Sequence, residues 1–154
     1  MPGHARLTDK VTVGGQPTVD DLRELRAQGF VAVVNLRTDG EAGQPLSPES
    51  EGFAAHEVGL AYHHLPVALP QLDPEHVRCL RDAIQAAPGP VYVHCGAGQR
   101  ACALGLLATA ESATRGETLL ASAAAAGLPI QDQRLGDFVR EQADRTGWSR
   151  LQAV

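Results

Sequence analysis

Aromatic residues and positive charge are both scarce in this sequence. Phe, Trp and Tyr make up 4% of the 154 residues, which disfavours a surface that stacks single-stranded nucleic acid or sugars. Lys and Arg number 13 against 18 Asp and Glu, so the formal net charge is −5. A chain of this charge lacks the basic footprint of a nucleic-acid-binding protein. We therefore expect no nucleic-acid partner.

Long apolar runs and cysteine pairs are lacking too. No segment approaches the roughly 18 consecutive apolar residues that a transmembrane helix needs, and residues 1–15 lack the apolar centre of a signal peptide. The three cysteines, an odd number without a CxxC pair, are Cys79, Cys95 and Cys102. This pattern disfavours a disulfide framework and a four-ligand zinc site. We expect a cytoplasmic protein without membrane contact or structural metal.

What the sequence does contain is enough apolar material for one core, since 44% of its residues are hydrophobic. Thr18-Val-Asp-Asp21 has the pattern of a helix-capping box. Phe30 to Leu36 is a continuous apolar run, rich in valine, that is typical of a buried strand. Similar signals predict helices at about 18–29, 47–59, 73–88, 100–111, 114–126 and 131–146, and strands at 30–36, 60–67 and 91–94.

This alternation predicts an α/β fold. We expect a mostly parallel sheet of about four strands with helices on both faces, in one domain spanning residues 1–154. In such sheets the functional site forms at the carboxyl ends of the strands. The loops at 37–41 and 95–99 each follow a predicted strand, so we expect the site between them.

The second of these loops has the clearest chemistry. It runs His94-Cys-Gly-Ala-Gly-Gln-Arg100 from a strand into a helix. Its small residues allow successive backbone N–H groups to point at one anion, and the helix N-terminus adds partial positive charge. The same field favours a thiolate at Cys95, and Arg100 offers a planar fork for a tetrahedral oxyanion. We predict that phosphate or sulfate binds over Cys95, held by Gly96, Ala97, Gly98, Gln99 and Arg100.

The loop resembles the signature of the cysteine-dependent phosphatases of the tyrosine and dual-specificity class. The rest of the chain is similar to one bacterial branch, the phosphatase-like domain also found fused to β-lactamase-like hydrolases, over roughly residues 11–128. The segments that carry this resemblance are Gly14-Gly-Gln-Pro17, Gly29 to Arg37, Asp39-Gly-Glu41, Gly59 to Val67 and His94 to Arg100.

The resemblance implies a two-step reaction on a phosphorylated small molecule or phosphopeptide. Cys95 would attack phosphorus and form a phosphocysteine, which water would then hydrolyse. The loop amides and Arg100 would bind the phosphoryl oxygens, and a hydrogen bond from His94 would favour the thiolate. No metal or other cofactor is implied.

Three features depart from the family pattern. Four residues rather than five separate Cys95 from Arg100, and Ala101 has no hydroxyl to steady the leaving thiolate. The stretch from Leu65 to Pro70, where the family places its general acid, has no carboxylate.

The acid must therefore come from elsewhere. We expect Asp39 or Glu41, on the other strand-end loop, to supply it, in preference to Asp73, whose Asp-Pro-Glu context is typical of a helix N-cap. Arg37, at the same strand end, is a candidate to extend the anion site.

Other readings remain open from the sequence. The short loop is also similar to that of rhodanese-type sulfurtransferases, in which Cys95 would carry a persulfide. A third interpretation is a non-catalytic phosphate-binding module. Gly96-Ala-Gly-Gln-Arg-Ala101 also matches a dinucleotide-binding pattern, but no strand with an acidic ribose anchor follows it. The natural substrate and the oligomeric state cannot be read from the sequence.

Overall fold

The computed structural model describes residues 3–111 and 113–152, with side chains through residue 145. These described residues form five strands and six α-helices. The strands are β1 (His4–Arg6), β2 (Val11–Gly14), β3 (Ala32–Asn35), β4 (Ala61–His64) and β5 (Val91–His94). The helices are α1 (Val19–Ala27), α2 (Pro48–Glu57), α3 (Pro74–Ala86), α4 (Gln99–Thr109), α5 (Gly116–Ala125) and α6 (Gln133–Gln152), with a 3-10 turn at Leu69–Gln71.

The strands form one mostly parallel sheet in the order β1-β2-β5-β3-β4. Of these five, β1 alone runs antiparallel, at the edge beside β2. The predicted α/β fold is confirmed, although the sheet has five strands rather than about four. Both β1 and β2 lie outside the three predicted strand ranges, because runs of three and four residues are too short to give a clear sequence signal.

Helices cover both faces of the sheet, as predicted. Since successive side chains in a strand point to opposite faces, Val33 and Tyr92 pack with α1 and α2 on one side. Val34 and Val93 pack into the larger core on the other side, with α3 to α6. None of the helices in the described segments is long and apolar enough to cross a membrane.

The helix starts follow the capping residues of the sequence. Thr18 and Asp21 form the predicted capping box of α1. Ser47 caps α2, and Asp73 caps α3, each with a proline in the first turn. These caps fix where each helix begins, and hence where the strand-end loops lie.

Candidate active site

The loop between β5 and α4 lies at the carboxyl edge of the sheet. Gly14, His94 and Asn35 occupy neighbouring positions on β2, β5 and β3. The chain segments that follow these three strands therefore converge above one edge, as expected for a parallel sheet. The backbone N–H of Cys95 donates to the carbonyl of Gly14 at 3.3 Å, which connects the Cys95 loop to the first of these segments.

Cys95 lies at the bottom of this loop and is 1% exposed. Its Sγ accepts hydrogen bonds from the backbone N–H of Gly98 at 3.2 Å and from that of Ala101 at 3.4 Å. Both donors belong to the beginning of α4, an 11-residue helix. These two amides and the positive end of the helix dipole are thus directed at the sulfur.

The turn into α4 depends on Gly98. This residue has φ +99°, in the left-handed region, and it is the N-cap of α4. A β-carbon here would lie 3.2 Å from Leu128 Cδ2 and 3.3 Å from the carbonyl carbon of Gly14. The fold therefore requires glycine at this position for both conformation and space.

Arg100 extends from the first turn of α4 to Glu41 on the neighbouring loop. Its Nη1 and Nη2 donate to the two carboxylate oxygens of Glu41 at 2.7 and 2.8 Å, and Nη1 also donates to the carbonyl of Val67 at 2.9 Å. Hydrogen bonding to Glu41 raises the pKa of Arg100, and the proximity of Cys95 raises it further. Arg100 thus stays charged beside the sulfur.

Glu41 connects the two arginines near the loop, Arg37 and Arg100. Besides Arg100, it accepts hydrogen bonds from Nε of Arg37 at 3.0 Å and from the backbone N–H of Thr38 at 2.7 Å. The hydrogen bonds from Arg100, above all, hold the pKa of this carboxyl well below its usual range. At neutral pH Glu41 holds no proton to give to a leaving group, which disfavours the acid role expected for it.

Arg37 lies against Gly96 of the Cys95 loop, and three of its five N–H donors are engaged by neighbouring groups. It is 5% exposed, and its guanidinium donates to Glu41, to Oε1 of Gln16 and to the carbonyl of Ala42. In these contacts Arg37 holds Glu41 in place, and its expected direct contact with phosphate stays a prediction.

The other two carboxylates considered as the general acid belong to an exposed turn and to the start of α3. Asp39 is exposed in a turn, and its carboxylate accepts no hydrogen bond from the rest of the described chain. Asp73 accepts the backbone N–H of Glu75 at 2.8 Å, which confirms the predicted N-cap. In the described part of the chain, neither side chain makes a hydrogen bond with residues 95–100.

His94 is buried under the loop, and its ring does not bond to the sulfur. Nδ1 lies 3.1 Å from the backbone carbonyl of Cys95, and Nε2 lies 2.6 Å from Oε2 of Glu51. The hydrogen bond expected between His94 and Cys95 is therefore made to the carbonyl of Cys95 and not to its sulfur. The ring of His94 thus lies between the loop and α2, with one nitrogen at the carbonyl of Cys95 and the other at Glu51.

Sequence reasoning missed Glu51 and Gln16 as functional candidates. Glu51 is fully buried on α2, together with Pro48 and Ala55. Its Oε1 accepts the side-chain amide of Gln16 at 2.5 Å. The spacing of Pro48, Glu51 and Ala55 puts the carboxylate in the buried stripe of the helix, and a charge there needs partners. That spacing was the available signal.

The side chains of the remaining predicted loop residues do not bond to the sulfur of Cys95, so any contact of theirs with an anion would come from the backbone. The side chain of Gln99 turns away from the loop, donating to the carbonyl of Pro129 and accepting the backbone N–H of Gln131. Ala97 is exposed at the loop tip. No group of three or more His, Cys, Asp and Glu side chains in the described residues could hold a metal ion.

Comparison with known proteins gives a consistent family match. Residues 4–113 match the family described as beta-lactamase hydrolase-like protein, phosphatase-like domain. The beta-lactamase hydrolase-like protein of Agrobacterium fabrum is 38% identical over 106 residues, which is 68% of this chain and 24% of that protein. The similar region is thus about a quarter of the relative's length.

Solved structures show the same fold. A candidate phosphatase from Shewanella putrefaciens superposes with a TM-score of 0.75 at 20% identity, covering 96% of this chain and 95% of the other. TpbA from P. aeruginosa, in a variant form in complex with pTyr, superposes with a TM-score of 0.59 at 15% identity, covering 92% of this chain and 80% of the other. At these identities the likeness concerns the fold alone.

Proposed function

The chain belongs to the family of phosphatase-like domains of beta-lactamase hydrolase-like proteins, and from this premise we propose that it is a cysteine-dependent phosphatase. It hydrolyses phosphate monoesters through a phosphocysteine on Cys95. The observation that carries the proposal is the sulfur of Cys95, which accepts two amides at the start of α4 with the charged Arg100 beside it. We further propose that residues 1–154 act as one domain.

In the first step, Sγ of Cys95 attacks phosphorus opposite the ester oxygen. The S–P bond forms as the P–O bond to the leaving group breaks, and the leaving group departs as an oxyanion that takes its proton from solvent water. The free loop amides and Arg100 stabilise the charge on the phosphoryl oxygens. In the second step, water attacks phosphorus, the S–P bond breaks, inorganic phosphate leaves and the thiolate returns.

The leaving group determines the substrate class of this proposal. Glu41 is ionised between two arginines, Asp73 caps a helix, and Asp39 lies in an exposed turn. None of the three is suited to donate a proton in the first step. Substrates whose leaving group departs without much help, aryl phosphates such as phosphotyrosine, are therefore favoured over alkyl phosphates. The phosphotyrosine complex of the structurally similar TpbA is consistent with this class.

A pair of assays on the purified chain and its Cys95→Ser variant tests the proposal. The chain should release p-nitrophenol from p-nitrophenyl phosphate, and Cys95→Ser should fold but show no turnover, because a hydroxyl is a far weaker nucleophile at neutral pH. Thiosulfate with cyanide is the matched assay for a sulfurtransferase. Thiocyanate formation without phosphatase activity would reject the proposal, and activity with neither donor would indicate a binding module.

A further inference from the structure

The carbonyls of the first two loop residues, Cys95 and Gly96, each accept a hydrogen bond from a residue outside the phosphate-binding loop. The carbonyl of Cys95 accepts Nδ1 of His94 at 3.1 Å, and since a carbonyl can only accept, Nδ1 carries the proton. The carbonyl of Gly96 accepts the backbone N–H of Gln16 at 3.0 Å. Both contacts turn these carbonyl oxygens toward His94 and Gln16, on the side opposite the proposed anion site.

These contacts determine where the loop amides point. In a trans peptide the N–H is antiparallel to the C=O of the preceding residue. With the carbonyls of Cys95 and Gly96 turned back, the N–H groups of Gly96 and Ala97 face away from His94 and Gln16. Neither amide donates a hydrogen bond to any acceptor in the described part of the chain, so both are available to an anion.

One buried carboxylate holds both supporting residues. Oε2 of Glu51 lies 2.6 Å from Nε2 of His94, and Oε1 accepts the side-chain amide of Gln16 at 2.5 Å. Glu51 and His94 are both 0% exposed. A buried carboxylate costs stability unless its oxygens are satisfied, and here both are satisfied by groups that bear on the loop.

We propose that Glu51 is a positioning residue for phosphate binding, which acts through His94 and Gln16 to orient the amides of Gly96 and Ala97. The inference rests on the proposed function, since it concerns the same anion site. Glu51 lies on α2, 43 residues from His94 in the sequence, and its side-chain hydrogen bonds go to Gln16 and His94 and not to the sulfur of Cys95. Its contribution is to fix two peptide planes before the substrate arrives.

The Glu51→Gln variant separates positioning from charge. A glutamine amide can donate to Nε2 of His94, which then accepts, while its oxygen still accepts from Gln16. Glu51→Gln should therefore keep both contacts. Glu51→Leu keeps the side chain's approximate volume but removes both. The ring of His94 and the side chain of Gln16 then lose the group that holds them, so their contacts with the carbonyls of Cys95 and Gly96 become weaker.

Inorganic phosphate is the probe, and the amide NMR signals of Gly96 and Ala97 in the full chain are the readout. Glu51→Leu should weaken phosphate binding about tenfold or more, since small misplacements of binding groups are costly, and Glu51→Gln should stay within about threefold of the original chain by the same argument. Leu25→Ala, a fully buried residue of α1 on the same side of the sheet, controls for lost stability and should leave the affinity unchanged.

The outcomes are distinct. Equal phosphate affinity in the original chain and folded Glu51→Leu would overturn the positioning role and leave the proposed phosphatase intact. No phosphate-dependent shift of these amides in the original chain would reject the anion site itself, and with it both proposals. If Glu51→Leu does not fold, Gln16→Leu is the second variant, at a half-buried position. It removes the contact between Glu51 and the Gln16 side chain, together with the one from Nη1 of Arg37, and it leaves the backbone contact with Gly96. It should then weaken binding and shift Ala97 more than Gly96, and an unchanged affinity would again overturn the inference.

Discussion

Glu41→Gln is the substitution that best separates the two roles open to Glu41. A general acid would act on the leaving group alone, whereas a residue that positions Arg100 would act on every substrate. The carboxylate accepts five hydrogen bonds, from Arg37, Thr38 and Arg100. A glutamine keeps one accepting oxygen and places an NH2 group against donors of Thr38 and Arg100, so the cluster cannot remain as it is.

The expected loss can be estimated from these contacts. Displacing a substrate-binding group by about 1 Å can cost on the order of 100-fold in rate. We therefore expect Glu41→Gln to lower kcat/KM about 10- to 100-fold. The loss should be the same for p-nitrophenyl phosphate and for alkyl phosphates, because the phosphoryl oxygens that Arg100 binds are common to both.

Glu41→Gln should also lower the free energy of unfolding, by an amount that depends on pH. The side chains of Arg100 and Glu41 are 15% and 18% exposed, so the cost of the substitution lies between that of a surface and a buried pair, at about 2 kcal/mol. Since the pKa of Glu41 is lowered in the fold, its contribution is fully present above its ordinary value of 4.5. It is lost as the pH falls below that value. Urea unfolding of both proteins between pH 8 and pH 3 measures this difference.

A steeper leaving-group dependence would refute this reasoning. If Glu41→Gln slowed alkyl phosphates strongly while leaving p-nitrophenyl phosphate nearly unchanged, Glu41 would be the acid. The pKa of its carboxyl in the enzyme–substrate complex would then have to be far higher than in this structure.

Two further substitutions test the supporting geometry. Asp73→Ala should cost about 1 kcal/mol in urea unfolding, because the N-cap to Glu75 is lost, and it should slow aryl and alkyl phosphates equally; a selective loss on alkyl phosphates would instead assign the acid to Asp73. Gly98→Ala should destabilise the chain by about 2 kcal/mol and reduce phosphatase activity, since it adds the contact with Leu128 to the cost of a left-handed alanine. Gly29→Ala, at φ +98° with nothing within 4 Å of its β-carbon, is the matched control: it should show the conformational cost alone and full activity, and equal effects of the two would argue against crowding at the loop.

Local signals account for the parts of the structure that could be predicted. The capping residues Thr18, Ser47 and Asp73 determine helix starts within a few residues, and the valine-rich runs determine buried strands. The loop at Cys95 was identifiable because its chemistry lies within seven consecutive residues. Short-range physics was sufficient for each of these features.

The remaining features depend on contacts between residues far apart in the sequence. Glu41 has the sequence context of an acid beside a turn, and only its contact with Arg100, 59 residues away, shows that it is ionised and engaged. Glu51 likewise gains its partners His94 and Gln16 only when α2 packs on the sheet. No local pattern encodes such pairings, so sequence reasoning assigned the first of these carboxylates a role its geometry disfavours and overlooked the second.

The most direct test of the phosphatase mechanism is the mass of Cys95 during turnover. The chain is mixed briefly with p-nitrophenyl phosphate, denatured within milliseconds to seconds, and analysed by mass spectrometry, with a thiosulfate reaction alongside. We predict one added phosphoryl group on the peptide that contains Cys95, and none on the same peptide of Cys95→Ser. The account would be contradicted if Cys95 gained a sulfur atom from thiosulfate and gained no phosphoryl group from any phosphate ester tested.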